Sequence, residues 1–368
     1  MKKEDYLDCR KILKSFDKNE YWTKFSSADI FYIINGKNKA LFTFVEQFFG
    51  DSFGCQLFFN NKGFNYVHDI LTVNSENVMT LCDCDCLCCL LVNKDELKEE
   101  EKAYLKKNKI KIMKTHNLLI YRFEEGHIQR PANKKEIGLL LDYLSFLKSI
   151  INNELEDILE AYRNGNVAFT LMDNVNYEYS IIYRPLPNLE TFPKQTKVNQ
   201  QLVDEFKNKV YIDDDCYVFT SYAPTAVKET GVRPLMLSFY YSNSSKVEYH
   251  YIIDSPKEYK EKIFGILYNV LENNDIPCKM IFNNRLIYTY LVKTLKSLNV
   301  ECEFTRENVD ADIVINELVG RLFETYPFKY LEQAEYEYVI KENITQIVSE
   351  YENSTGYEYL ENNDTYVS

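Results

Sequence analysis

The sequence predicts an α+β N-terminal module followed by an α/β module with a mixed, partly parallel sheet. At 368 residues the chain is long for one typical domain and comfortable as two. Its 45% apolar and 15% aromatic content, with only nine prolines, supports cores that need no metal or disulfide staples. Strand patterns dominate before the first long helical pattern and are joined by short turn-forming stretches. Beyond Asp254, strands and helices alternate, which implies parallel neighbours joined by right-handed crossovers.

Cys9, Ile12, Leu13 and Phe16 recur at helical spacing and predict the first helix. The runs "DIFYII", "KALFTFVEQFF" and "FGCQLFF", separated by "NGKNK" and "GDS", read as a strand meander that "NNKG" at 60–63 closes with a turn. "MTLCDCDCLCCLLV" reads as a further strand. Asn93 with Glu96 has capping-box spacing ahead of the helix "DELKEEEKAYLKKN". Short strands are expected at "KIKIM" and "NLLIYRF". A helix from about Lys134 to Ile151 follows, with Ile137, Leu140, Leu141, Leu144 and Leu147 on one face, and then the helix "ELEDILEAYRNGN". Asn164-Gly165-Asn166 supplies a stop signal, which sets the expected first module at residues 1–164.

The second module, expected over 165–325, opens with strands "VAFTLM" and "YEYSIIYR" and an irregular stretch to the helix "NQQLVDEFKNK". Strands "CYVFTSY", "RPLMLSFYY" and "VEYHYIID" follow. In "SPKE", Ser255 is placed as N-cap with Pro256 at the first helical position and Glu258 at the third. Strand "CKMIF", a helix with Ile287, Leu291, Leu295 and Leu298 on one face, and strand "VECEF" complete two crossovers. "DADIVINELVGRLFETY" reads as another amphipathic helix or as a strand running into one, and 326–368 reads as an acidic, Tyr-rich helical appendage and tail.

The net charge of −13 disfavours nonspecific binding to nucleic acid or to an anionic membrane. The start "MKKEDYLDCRKILKSF" has no signal-peptide apolar region and no apolar run of membrane-spanning length occurs, so a cytoplasmic protein is expected. Cys9, Cys55, Cys216, Cys278 and Cys302 are then expected to be reduced core thiols. Dinucleotide, P-loop, zincin and nucleophile-elbow motifs are absent from the sequence.

"CDCDCLCC" at 82–89 is the densest chemistry the sequence offers. In a strand, Cys82, Cys84, Cys86 and Cys88 form one stripe with neighbours about 6.6 to 6.8 Å apart. Two sulfurs sharing a tetrahedral zinc lie only about 3.8 Å apart, given bonds of about 2.3 Å. The metal alternative needs Cys86 and Cys89 to form a turn; the strand reading makes a small apolar core stripe with Asp83 and Asp85 facing water. No cofactor is expected under the strand reading, and Zn2+ only under the turn.

The other candidate chemistry is carboxylate. Asp254 ends an apolar strand at the position where open parallel sheets bind ligands. Asn283, Asn284 and Glu303 end neighbouring strands, and Asp310, Asp312 and Glu317 follow. Such carboxylates can hold Mg2+ for phosphoryl transfer, in outline as in an RNase H-like sheet. That arrangement expects a carboxylate inside the first strand and another at a later parallel strand, whereas "VAFTLMD" has Asp173 only at its end and "CKMIFNN" ends in amides. Asp213, Asp214 and Asp215 read as a solvated turn, and His250 as a structural strand residue.

"YWTKFSSADIFYI", "FVEQFFGDSFGCQLFFNNKGF", "FEEGHIQRP" and the stretch from "SPKEYKEK" to "NVECEF" together resemble an uncharacterised bacterial two-module family, with an aromatic-rich α+β module followed by an α/β module. That resemblance implies the fold and no activity or site residue. The leading functional expectation is a noncatalytic binding or scaffold protein with a protein partner. A divalent-metal-dependent phosphodiester or nucleotide hydrolase using Asp254, Asp310, Asp312 and Glu317 is one alternative. A zinc-stabilised interaction module using Cys86 and Cys89 is the other.

Overall fold

The computed structural model describes residues 3–26, 28–46, 53–72, 84–173, 178–223, 226–227, 230–242, 246–253, 256–306 and 330–331. The chain divides into two compact units, one built from the N-terminal part of the chain through Glu190 and the other from Thr191 onward together with Gly126–Ile128.

In the first unit, helices α1 (Lys3–Lys18) and α2 (Tyr21–Lys24) precede strands β1 (Phe31–Asn35), β2 (Asn38–Glu46) and β3 (Phe53–Phe58). Helix α3 (Asn61–Thr72), strand β4 (Cys86–Val92), helix α4 (Glu99–Lys107), strands β5 (Asn117–Phe123) and β6 (Arg130–Pro131) and helix α5 (Lys134–Arg163) follow. Strands β7 (Val167–Asp173) and β8 (Glu178–Arg184) end the unit. The eight strands run in the order β6-β5-β4-β3-β2-β1-β7-β8. All pairs are antiparallel except β1 with β7, the parallel neighbour reached through α5.

The sheet has helices on both faces, as adjacent residues of β1 show. The Phe31 ring lies 5.3 Å from Phe25, beside α2, and 5.7 Å from Tyr162 of α5, while the Tyr32 ring lies 6.1 Å from Phe64 of α3. On the α5 side, Phe16 of α1 meets Phe44 of β2 edge-on at 5.7 Å. On the other, the Tyr121 hydroxyl of β5 donates to Glu101 of α4. Every residue of β4 is therefore buried.

Several sequence expectations change here. "VAFTLM" and "YEYSIIYR" were expected to open the second module but complete the first sheet, so the first unit runs past 164. Helical stop signals are local, whereas β7 is held by its long-range register with β1, Phe31 opposite Ala168 through Asn35 opposite Met172. "NNKG" starts α3 instead of closing a turn: the Asn60 Oδ1 accepts from the Gly63 N–H at 2.9 Å and nucleates the helix. The Asn93–Glu96 pair forms a turn, and the helix begins later, where the Glu101 carboxylate accepts from the Lys98 N–H at 2.7 Å. "KIKIM" is not a strand. The two helices expected on either side of Glu154 are both present, numbered together as α5; the backbone leaves helical geometry between them at Glu154 (φ −123°, ψ 19°), and Asn133 caps the first.

The second unit holds α6 (Gln200–Phe206), β9 (Tyr211–Tyr222), β10 (Ala226–Val227), β11 (Leu235–Tyr241) and β12 (Lys246–Ile253). A 3-10 turn at Pro256–Glu258 leads into α7 (Tyr259–Asn273), followed by β13 (Ile276–Phe282), α8 (Arg285–Ser297), β14 (Glu301–Phe304) and β15 (Tyr330–Leu331). The main sheet has the order β12-β11-β9-β13-β14. β12, β11 and β9 are antiparallel, and β9, β13 and β14 are parallel. The first strand of this mixed, partly parallel sheet is β9, not "VAFTLMD". Leu202, Ile263, Leu267, Ile287 and Leu291 of the three helices share one buried cluster with Cys216, Val218 and Phe282 of the strands. Beyond Tyr330–Leu331, which pairs in parallel with Ala226–Val227, the 326–368 appendage lies outside the described residues.

Two glycines test the packing in opposite directions. A Cβ on Gly54 would sit 2.3 Å from the Cys89 carbonyl oxygen, a backbone atom that can move only with β4, whereas a Cβ on Gly138, within α5, meets nothing. Gly54→Ala is expected to lower the urea-unfolding free energy by about 1 to 3 kcal/mol. Gly138→Ala is expected to raise it by up to about 1 kcal/mol.

Candidate functional site

The cysteine segment is core. Cys84, Cys86, Cys88 and Cys89 are all buried, and Cys82 and Asp83 lie outside the described residues. Cys86 and Cys89 are three apart in a regular strand and point to opposite faces, so the turn a shared zinc requires does not form. Cys86 Sγ lies 3.4 Å from Cys84 Sγ, and Cys89 Sγ lies 2.8 Å from that of Cys55, its directly opposed partner in β3, with both thiols free. Burial pushes the Cys9, Cys55, Cys86 and Cys88 thiols up, and neighbouring sulfurs add to the effect. Thiols held in that form are poor nucleophiles.

Asp85 was expected in water but is 5% exposed. Its carboxylate meets Arg122 Nη2 of β5 at 2.5 Å and accepts from Asn60 Nδ2 at 2.9 Å. The Arg122 guanidinium lies 4.8 Å from the Phe59 ring centroid and also donates to the Cys86 carbonyl at 3.1 Å. Period-two patterning marks alternating faces, and it marks water only when one face is bare; here both are covered. Beside this pair, Arg130 donates two hydrogen bonds to Glu136 at the start of α5, at 2.7 and 2.9 Å. Burial by itself would raise the Glu136 carboxyl, but Arg130, the Asn133 N–H and the Arg122 charge outweigh it and hold it below its ordinary 4.5. The geometry is that of a structural clasp, with its charges directed at one another.

In the second unit, Asp254, Asp310, Asp312 and Glu317 lie outside the described residues. The described carboxyl-terminal ends of β9 and β13 carry the hydroxyls of Thr220, Ser221 and Tyr222 and the amides of Asn283 and Asn284. Asn283 Oδ1 accepts from the Thr220 N–H at 2.9 Å, so the amide ties β13 to β9 where a metal-binding carboxylate would stand. Asn284 caps α8 by accepting from Leu286 and Ile287 N–H. Glu303 pairs with Lys279 at 2.6 Å. Asp213, Asp214 and Asp215 belong to β9 itself, not to a turn, at its amino-terminal end. Cys278 Sγ lies 3.8 Å from the Asp213 and Asp215 carboxylates and donates to the Asp214 carbonyl at 3.3 Å. Among the described residues no three His, Cys, Asp or Glu side chains are placed to hold one metal ion.

A concavity among the described residues of the second unit was not anticipated from sequence. An open groove of about 640 Å³ runs between α6 and α7, lined by Leu202, Lys257, Lys260, Glu261, Phe264, Gly265 and Tyr268, with Asn199 and Gln201 at α6. Its walls are fixed by the Phe206–Tyr268 ring contact at 5.1 Å and by the Asn199 N–H bonded to Thr294 Oγ1 of α8 at 3.0 Å. Gly265 forms part of the groove in mid-helix, and a Cβ there would meet nothing. The available sequence signal was a glycine inside the amphipathic helix pattern, which costs helix stability relative to alanine.

Fold and site together define a two-module protein, an α+β domain followed by an α/β domain whose mixed sheet carries a helical groove. Residues 8–169 match the model of a domain of unknown function, DUF7309, and residues 202–319 match that of a second, DUF6930. No curated protein matches the chain. Among the described residues no helix is long and apolar enough to cross a membrane.

Two outcomes follow. With native protein, a maleimide is expected to label exposed Cys278 and, slowly, half-buried Cys302, whose thiol burial pushes up to about 12, while the β4 thiols react only after denaturation; intact-mass counting reads this. Because the Glu136 pKa is lowered on folding, its contribution to stability is present above the unfolded value of 4.5 and lost as pH falls through the folded value. Glu136→Gln is therefore expected to lower stability near neutral pH and to narrow its gap to wild type in acid, measured by urea unfolding across pH.

Proposed function

We propose that this chain is a noncatalytic binding protein of the cytoplasm whose second module captures a short acidic segment of a protein partner in the α6–α7 groove. The observation that carries this is Gly265, a helix-weakening residue placed where it leaves the groove open. Phe264 and Tyr268 offer aromatic surface, and Lys257 and Lys260 bring two positive charges to the lining beside Glu261, on a chain of net charge −13. A partner segment with carboxylates and an apolar anchor complements that lining. The occupation of Asn283 by the β9 backbone supports the noncatalytic part, and free neighbouring thiols fit a reducing compartment.

Panning the purified full chain against displayed random peptides tests this. Enriched sequences are expected to combine Asp or Glu with an aromatic or leucine residue. Gly265→Phe, and separately Lys257→Glu with Lys260→Glu, are each expected to weaken the best peptide about tenfold in anisotropy titrations. Gly265→Ala, in contrast, is expected to raise the melting temperature and leave binding nearly unchanged. Enrichment indifferent to these substitutions sinks the groove assignment. Turnover of a phosphodiester or nucleotide with Mg2+ by the purified chain sinks the noncatalytic reading.

A further inference from the structure

The two edges of the first sheet are unlike. β6 is two residues long and carries Arg130 and Pro131, the features that stop one edge strand from pairing with another. β8 is seven residues long, "EYSIIYR", with no proline, no lysine and no charge between its first and last residues. Among the described residues it pairs with β7 only, leaving its other side unpaired. The sheet face beside this edge is also apolar and open: Ile182 is 51% exposed and Leu171 of β7 is 41% exposed. Arg184, the last residue of the strand, lies over the Phe169 ring of β7 at 3.9 Å.

The same seven residues are complementary to themselves. Laid antiparallel to a second β8 with Ile181 opposite Ile181, Tyr179 falls opposite Tyr183, Ser180 opposite Ile182, and Glu178 opposite Arg184, each pair occurring twice. Directly opposed residues of antiparallel strands interact most strongly when they are aromatic or oppositely charged. A one-residue shift of this pairing removes both ion pairs and the tyrosine pairs together. We propose that β8 is a self-association edge through which two copies of this chain join their eight-stranded sheets about a two-fold axis at Ile181. The two-fold makes the contact isologous, so the edge closes on itself in the dimer and does not propagate. This inference is independent of the groove and its occupant.

The full chain, studied by sedimentation equilibrium and by light scattering across about 1 to 200 µM, an interval covering weak to moderate dimers, is expected to shift from the 43.6 kDa chain mass to twice it. Ile182→Lys, at an exposed position, is expected to shift the midpoint to higher concentration. Arg184→Glu and Glu178→Arg each place like charges at both ends of the pairing and are each expected to weaken the dimer about tenfold. The double variant Glu178→Arg with Arg184→Glu restores the opposed charges in the same register and is expected to recover most of the loss. Simple destabilisation of the fold would not reverse in that way, and circular dichroism of each variant checks it. A chain that stays monomeric throughout, even one whose β8 edge takes up a different polypeptide, overturns the proposal. So does a dimer indifferent to the single substitutions, or a double variant no better than they are.

Discussion

Burial of the central strands of the first sheet on both faces is the constraint from which most of that unit follows. With α1, α2 and α5 on one side and α3 and α4 on the other, no side chain of β4 reaches water. Every residue there must be apolar, small enough for a close approach, or fully partnered. Cysteine meets the first two conditions, which is why the residues that look most reactive in the sequence are among the most inert in the fold. Gly54 meets the second, where β3 lies against the Cys89 carbonyl. Asp85, the buried residue just before β4, meets the third, through Arg122 and Asn60.

The Asp85–Arg122 pair shows what such a constraint costs. Two charges taken out of water lose hydration worth several kcal/mol each, and the pair is tolerable because hydrogen bonds and an aromatic face meet the remaining polar atoms. Arg122 also faces the start of α5, where Glu136 is clasped by Arg130. The joint between β4, β5 and the longest helix is thus electrostatic at its rim and apolar within.

The second unit distributes its burdens differently. Its parallel strands part at Asn283, and the amide there closes a gap in the backbone hydrogen bonding. Lys279 and Glu303 bridge β13 and β14. The helices bury one stripe each and leave the α6–α7 seam unfilled at Gly265. Fold architecture alone does not assign an activity to this sheet. Asn283 and Asn284 at its described strand ends hold backbone, and the α6–α7 groove lies on the helices.

Periodicity in the chain by itself determined the α+β and α/β classes, most strands and helices from Phe31 to Phe304 but not α3, and the parallel crossover from β13 through α8 to β14, because those depend on local patterning and connection length; the other expected crossover leads from β12 to β13, which are not neighbours. It also placed the cysteines in a strand. Only the tertiary structure decided that β7 and β8 belong to the first sheet, since parallel pairing with β1 joins residues far apart in sequence. It alone decided that Asp85 is buried, because period two cannot reveal whether the second face of a sheet is covered. It alone brought α6 beside α7 to form a groove, because a helical glycine reads as a local defect until a neighbouring helix turns the missing side chain into space.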